Sequence, residues 1–235
     1  MRKGWLLVVV MVGGCSLLEA QSPEDLRCRR PELVVPPEGP VPYAFICLDG
    51  RPWRPDSVLG FMFDADKRYI YLGTNFILSN PTADLPFYEA RLRLDLYEKP
   101  LQTTTIYYLF NSNPFEREKV TNGELPEIFL GRSGSLSEID GDLGISSYWI
   151  AREDSLRSWV RFSRIDTVQT EPFLLVFYEG RFEMVLSPFH RSIRSRYPDA
   201  KLHFQGRFRV PAVTWNYFRR CWRERNCLRV EVRTL

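Results

Sequence analysis

The chain has 235 residues, 44% apolar, 26% charged and 14% aromatic, a composition that excludes a disordered tract or a collagen-like repeat and is ample for one sizeable core. Lys and Arg number 32 against 29 Asp and Glu, a net charge of +3, so bulk charge does not make the molecule a polyanion binder.

The N-terminus reads as an address. Arg2 and Lys3 precede an apolar run from Trp5 to Val12 that is too short to span a bilayer, which is the shape of a signal peptide over residues 1–14. The next residues, Val12-Gly13-Gly14-Cys15, resemble the lipobox of bacterial lipoproteins. That resemblance implies that Cys15 becomes the mature N-terminus and carries a diacylglycerol on its sulfur. Cleavage after Ala20 is the competing reading, but Leu18 and Glu19 make a poor small-x-small site. Ser16 gives no acidic retention signal, so the expected location is the cell envelope, as an outer-membrane lipoprotein facing the periplasm or the exterior.

Five cysteines are an odd number, and lipidation of Cys15 leaves Cys28, Cys47, Cys221 and Cys227 for two disulfides in an oxidising compartment. Four cysteines allow three connectivities; the favoured one is Cys28 with Cys47 and Cys221 with Cys227, the second across a polar turn. A zinc site is disfavoured, because His190 and His203 are the only histidines and no CxxC occurs.

Residues 15–42 hold Pro23, Pro31, Pro36, Pro37, Pro40 and Pro42 and read as a tether. From Tyr43 the dominant period is two. Tyr88, Ala90, Leu92, Leu94 and Leu96 alternate with Glu89, Arg91, Arg93, Asp95 and Tyr97, and Leu202, Phe204, Phe208 and Val210 alternate with His203, Gln205, Arg207 and Arg209. Further strand-like runs cover 59–63, 69–72, 145–150, 159–165 and 173–186, punctuated by turn signals at Asp49-Gly50, Asp64-Ala65-Asp66 and Asn122-Gly123. No long stretch has helical periodicity. Many short strands without intervening helices predict an all-β domain over 43–211, an antiparallel β-sandwich or partly open barrel with few short helices.

Two segments echo each other: Glu179-Gly180-Arg181-Phe182-Glu183 and Gln205-Gly206-Arg207-Phe208-Arg209. In each, the Gly marks a bulge or close backbone approach, and the Phe two residues on shares its face. The opening Phe45-Ile46-Cys47-Leu48-Asp49-Gly50-Arg51-Pro52-Trp53-Arg54-Pro55 predicts a hairpin with positive φ at its tip and Trp53 laid over the core.

That opening resembles the C-x-(N/D)-G-x-x-W-x-P motif of uncharacterised Bacteroidota envelope lipoproteins, and the two Gly-Arg-Phe strands resemble that family's later G-x-F segments. The likeness runs in order over residues 41–211. Asp49 stands where Asn is common, and a Cys-containing tail extends past Val210. The resemblance implies an envelope-anchored β-sandwich and brings no catalytic residues with it.

Candidate chemistry is sparse. Between Asn111 and Leu143 lie Glu116, Glu118, Glu124, Glu127, Glu138, Asp140 and Asp142. Paired carboxylates there would suit a glycan hydrolase, and Glu138-Ile139-Asp140-Gly141-Asp142 is a partial calcium-loop pattern with its Gly misplaced. A solvated acidic loop is the favoured reading. Neither His190 nor His203 has a nucleophile motif beside it, and Gly131-Arg132-Ser133-Gly134-Ser135 lacks the Lys of a phosphate loop and reads as a flexible connection. No catalytic residue, metal ligand or cofactor is assigned.

Charge is unevenly placed. Residues 189–235 hold twelve Lys and Arg against three Asp and Glu, whereas 15–188 hold 18 against 26. The extension 212–235 interleaves aromatics with arginines, and Arg219, Arg220, Trp222 and Arg223 are candidates for an anionic lipid, a glycan or an envelope protein; intramolecular pairing with the acidic remainder is the competing account. Nucleic acid is not an expected partner in the envelope. The reading is a lipid-anchored binding or structural module, with a glycan hydrolase as the alternative.

Overall fold

The computed structural model describes residues 28, 30, 34–39, 41–65, 69–98, 101–110, 122, 132–170, 173–214, 230, 231, 233 and 234. Period two translates directly into strands: β1 (Tyr43–Leu48), β2 (Arg51–Trp53), β3 (Ser57–Ala65), β4 (Tyr69–Ser79), β5 (Tyr88–Glu98), β6 (Ile106–Tyr108), β7 (Arg132–Asp140), β8 (Leu143–Trp149), β9 (Trp159–Thr170), β10 (Phe173–Arg191), β11 (Leu202–Thr214), β12 (Val230–Glu231) and β13 (Arg233–Thr234). A 3-10 turn at Arg152–Arg157 links β8 to β9. The domain is all-β.

Among the described strands pairing is antiparallel except where β11 meets β3 and β1 meets β13, and an isolated bridge from Phe110 to Ser133 of β7 is also parallel. The strands β11, β3, β4, β5, β7, β8 and β10 follow one another as hydrogen-bonded neighbours, and β10 pairs back to β11, so the ladder returns to its start. The long β10 makes this closure. Its residues 173–186 run alongside β9 and β11, whereas Ser187–Arg191 pair with β8, with a register shift between Pro188 and His190. Outside the ring, β9 carries β6, and β11 carries β1 with its hairpin partner β2. Asp49 and Gly50 form that hairpin's tip with φ of 49° and 76°, the left-handed geometry the Asp-Gly pair predicts.

Inward positions fill one core. Ala90, Leu92, Leu94 and Leu96 of β5 meet Phe204, Phe208 and Val210 of β11 and Phe182, Met184 and Leu186 of β10, all buried. Trp53 caps this core edge-on to Phe204 at 5.7 Å, and its indole Nε1 donates to the Tyr197 hydroxyl at 2.8 Å.

The structure differs from the sequence reading at two places. The Arg132-Ser133-Gly134-Ser135 stretch is the start of β7 and not a flexible connection. Gly134 faces the core there, where a Cβ would lie 2.5 Å from Met184 Sδ, and Ser133 and Ser135 are buried beside it. The Pro-rich segment is no free tether along its later part: Cys28 is disulfide-bonded to Cys47, and the carbonyls of Cys28, Val34 and Gly39 accept hydrogen bonds from Gln205, Arg207 and Arg209 on the outer face of β11. The extension from residue 212 joins the sheet, as the alternation of Val230 and Val232 with Glu231 and Arg233 lets it: β11 continues to Thr214, and β12 and β13 pair with β3 and β1. The second proposed disulfide, Cys221 with Cys227, and the lipidation residue Cys15 lie outside the described residues.

Candidate functional site

The echoed Gly-Arg-Phe segments meet on neighbouring strands. Antiparallel pairing of β10 with β11 sets Gly180 opposite Phe208, Arg181 opposite Arg207 and Phe182 opposite Gly206. The two phenylalanines point into the core, each covering the glycine across from it, so both arginines are driven to the outer face. On the other side of β10, Arg181 stands opposite Arg161 of β9 and Glu183 opposite Trp159. Three arginines therefore lie side by side across three strands.

They line a cleft of about 560 Å³ with Thr103, Trp159, Ser163, Glu183 and Gln205. The volume is that of a small-ligand site. Arg181 is exposed, with its guanidinium carbon 5.8 Å from the Trp159 ring centroid. Arg207 Nη1 donates to the Val34 carbonyl at 2.7 Å, and Glu183 Oε1 is 2.8 Å from His203 Nε2. No carboxylate among the described residues pairs with Arg161 or Arg181. Like charges directly opposite on adjacent strands repel, by about 1 kcal/mol for unit charges roughly 5 Å apart in water. The row thus holds charge that an anion would neutralise.

The acidic candidates disperse. Glu138 is wholly buried and accepts from the hydroxyl of Tyr88 at 2.7 Å, the Arg196 backbone N–H at 2.8 Å and the hydroxyls of Ser146 and Ser195. These bonds anchor the β10–β11 connection and turn the carboxylate away from solvent, which corrects its reading as part of a solvated loop. Desolvation, then the hydrogen bond to Glu138, pushes the Tyr88 hydroxyl far above the usual phenol range. Asp140 Oδ1 accepts from the Phe87 amide at 2.7 Å, and Asp142 is exposed at the β7–β8 turn. Glu116, Glu118, Glu124 and Glu127 lie outside the described residues. Among the described residues no three His, Cys, Asp or Glu side chains form a metal-holding group.

His190 is exposed, and His203 sits on the outer face of β11 as its alternation predicts. Arg219, Arg220, Trp222 and Arg223 lie outside the described residues. The arginine row is not legible as a site in any one strand, because alternation says only that each Arg faces outward; the echoed motif is the signal that would have found it, once its two copies are placed on paired strands. Comparison of the chain with protein-family models, curated proteins and solved structures gives no match.

Proposed function

We propose that the protein is an envelope-anchored lipoprotein whose β-domain is a non-catalytic binding module for an anionic ligand, held in the cleft between Arg161, Arg181 and Arg207. The cross-strand arginine row carries this reading. Three like charges placed together, two of them without a carboxylate partner among the described residues, are a cost to folding that an anion offsets, and Arg presents forked donors suited to carboxylate, sulfate or phosphate. Trp159 beside them offers a flat face on which a sugar ring can stack. An anionic glycan fits both features. The tail residues Arg219, Arg220, Trp222 and Arg223 add a second cationic segment of the same chemistry.

Anchoring is supported by the charged and apolar signal, the lipobox-like Val12-Gly13-Gly14-Cys15, and the Cys28–Cys47 disulfide, which suits an oxidising compartment. Mass spectrometry of the mature N-terminus tests it: a diacylated Cys15 is expected, and an unmodified chain beginning at Gln21 overturns the lipoprotein reading. For the cleft, calorimetric titration with uronic-acid and sulfated oligosaccharides is expected to show salt-sensitive binding that Arg181→Ala and Arg161→Ala each weaken about tenfold, one charge-assisted contact apiece. Binding that survives the double variant unchanged removes the cleft from the proposal.

A further inference from the structure

Four large apolar side chains are solvent-exposed near one end of the domain: Phe87 at 70%, Leu143 at 55%, Phe189 at 62% and Ile193 at 99%. They belong to adjoining segments that hydrogen bonds tie into one rim. The Phe87 amide donates to Asp140 of the β7–β8 hairpin that carries Leu143, and the Gly141 amide donates back to the Phe87 carbonyl at 3.4 Å. The Ser192 amide, next to Ile193, donates to the Ile145 carbonyl at 3.0 Å, two residues beyond Leu143. Arg196 Nη1 reaches the Asn80 carbonyl at 2.7 Å and its Nη2 the Thr82 hydroxyl at 3.2 Å, joining the β10–β11 connection to the β4–β5 loop. Phe189 lies just below, stacked on Trp149 with centroids 3.8 Å apart.

Fixed loops with outward apolar tips are unlike the scattered single hydrophobes of an ordinary surface. The chain's path indicates what they face. Cys28 is bonded to Cys47, two residues from the β1–β2 turn, and that turn is tied to the start of β11 by the Asp49 amide donating to the His203 carbonyl at 2.9 Å. Cys28, the first described residue, therefore lies toward this end of the domain. Cys28 stands thirteen positions after Cys15, a reach of about 45 Å at full extension and of order 20 Å on average for a flexible chain.

We infer that this rim is the membrane-facing end of the domain, with Phe87, Leu143 and Ile193 inserted among lipid headgroups and Phe189 at their border. The choice of a lipid bilayer as occupant rests on the lipoprotein reading, because tethering at this range turns weak insertion of a few apolar tips into an intramolecular event. Arg191 and Arg194 flank Ile193 and face lipid phosphates; Asp84, Asp142 and Asp199 at the same end keep the rim from being a purely electrostatic docking site. The arginine cleft opens on the side wall, where this docking leaves it accessible.

The test is photolabelling of the full-length protein in vesicles of phosphatidylethanolamine and phosphatidylglycerol that contain a diazirine phospholipid, with labelled peptides mapped by mass spectrometry. Label is expected on the peptides bearing Phe87, Leu143 and Ile193, and is expected to be lost from them in the Phe87→Ser, Ile193→Ser double variant, whose exposed positions leave the fold intact. Label confined to the N-terminal segment, with none at the rim, overturns the inference even when Cys15 is acylated. The mass of the mature N-terminus separates the two readings: an acylated protein without rim label overturns the docking surface and leaves the lipoprotein reading standing, whereas rim label on a protein whose Cys15 carries no acyl group sustains the docking surface and removes the lipoprotein. Rim peptides shielded by a second copy, seen as a protein crosslink in place of lipid label, also overturn it.

Discussion

Phe208 lies directly across the ladder from Gly180, and its ring atom Cζ would be 3.2 Å from any Cβ placed there. The reciprocal pair repeats this, with Phe182 Cε1 at 3.1 Å from a Cβ on Gly206. Each aromatic ring occupies the space that the missing side chain leaves on the partner strand, which is how two Gly-Arg-Phe segments lock in one register. That register, in turn, brings Arg181 and Arg207 together.

Gly180→Ala and Gly206→Ala test the lock. The added methyl would meet backbone as well as ring, at 2.6 Å from the Arg161 carbonyl oxygen in the first case and 2.8 Å from that of Phe45 in the second. A neighbouring strand cannot yield as a side-chain end can, so each variant is expected to lose about 1–3 kcal/mol of stability. Urea titration measures it, and an unchanged midpoint would show that the strands are free to move apart.

Burial of Glu138 makes a second prediction. Glu138→Gln keeps the volume but replaces one acceptor oxygen by a donor, so the Ser146 and Ser195 hydroxyls, or Tyr88 and the Arg196 amide, face an NH₂ group. A cost of about 2 kcal/mol is expected for the orphaned partners. Proteolysis should then cut first in 192–201, the connection that this carboxylate holds. Equal protease resistance in both proteins would mean that other contacts fix the connection.

Strands such as β5 and β11 were legible because each presents its alternation locally, over Tyr88 to Leu96 and Leu202 to Val210, whereas β7, with Ser133, Gly134 and Ser135 at its start, does not. What escaped depends on partners distant in sequence. Glu138 reads as one acid among many until Tyr88, Ser195 and Arg196 surround it, and the prolines before Tyr43 read as a tether until β11 supplies three donors about 170 positions away. Gly134 looks like a loop residue for the same reason: the side chains it lies against, Met184 and Ile150, are distant in sequence. The cleft combines both cases, with outward arginines readable in each strand and their juxtaposition set by register.

The Cys28–Cys47 bond closes a loop with a sequence separation of 19, for which the chain-entropy estimate is about 3 kcal/mol. The Cys28→Ala, Cys47→Ala double variant is expected to lose that much and to expose Val34 and Phe45, which pack with the disulfide as a small apolar cluster on the outside of β1. Faster amide exchange over 34–39, with the β5 and β10 amides unchanged, is the expected signature. Uniform acceleration through the core would instead make this bond a requirement for the whole fold.

Stability should fall steeply at alkaline pH. Burial, with the nearby charge of Glu179 next, pushes the Tyr43 hydroxyl up to about 12 from 10.0, and burial likewise takes Tyr197 to about 12 against a smaller opposing effect of its bond from Trp53. Tyr178 is raised by burial, and Tyr88 by burial and Glu138. In each case the folded chain holds its proton more tightly than the unfolded chain. The stabilisation from a neutral buried phenol is therefore complete below pH 10, where both states are protonated. Above it the unfolded state ionises first, and each such tyrosine removes about 1.4 kcal/mol per pH unit until its folded-state value is reached. For Tyr43 and Tyr197 that window runs from 10.0 to about 12, and four tyrosines acting together should unfold the domain within it. Thermal melts across this range, read beside tyrosinate absorbance, should show Tm dropping and the buried phenols ionising in the same step as unfolding. Ionisation of all eleven tyrosines near pH 10 with Tm unchanged would mean that these hydroxyls reach water in the folded protein.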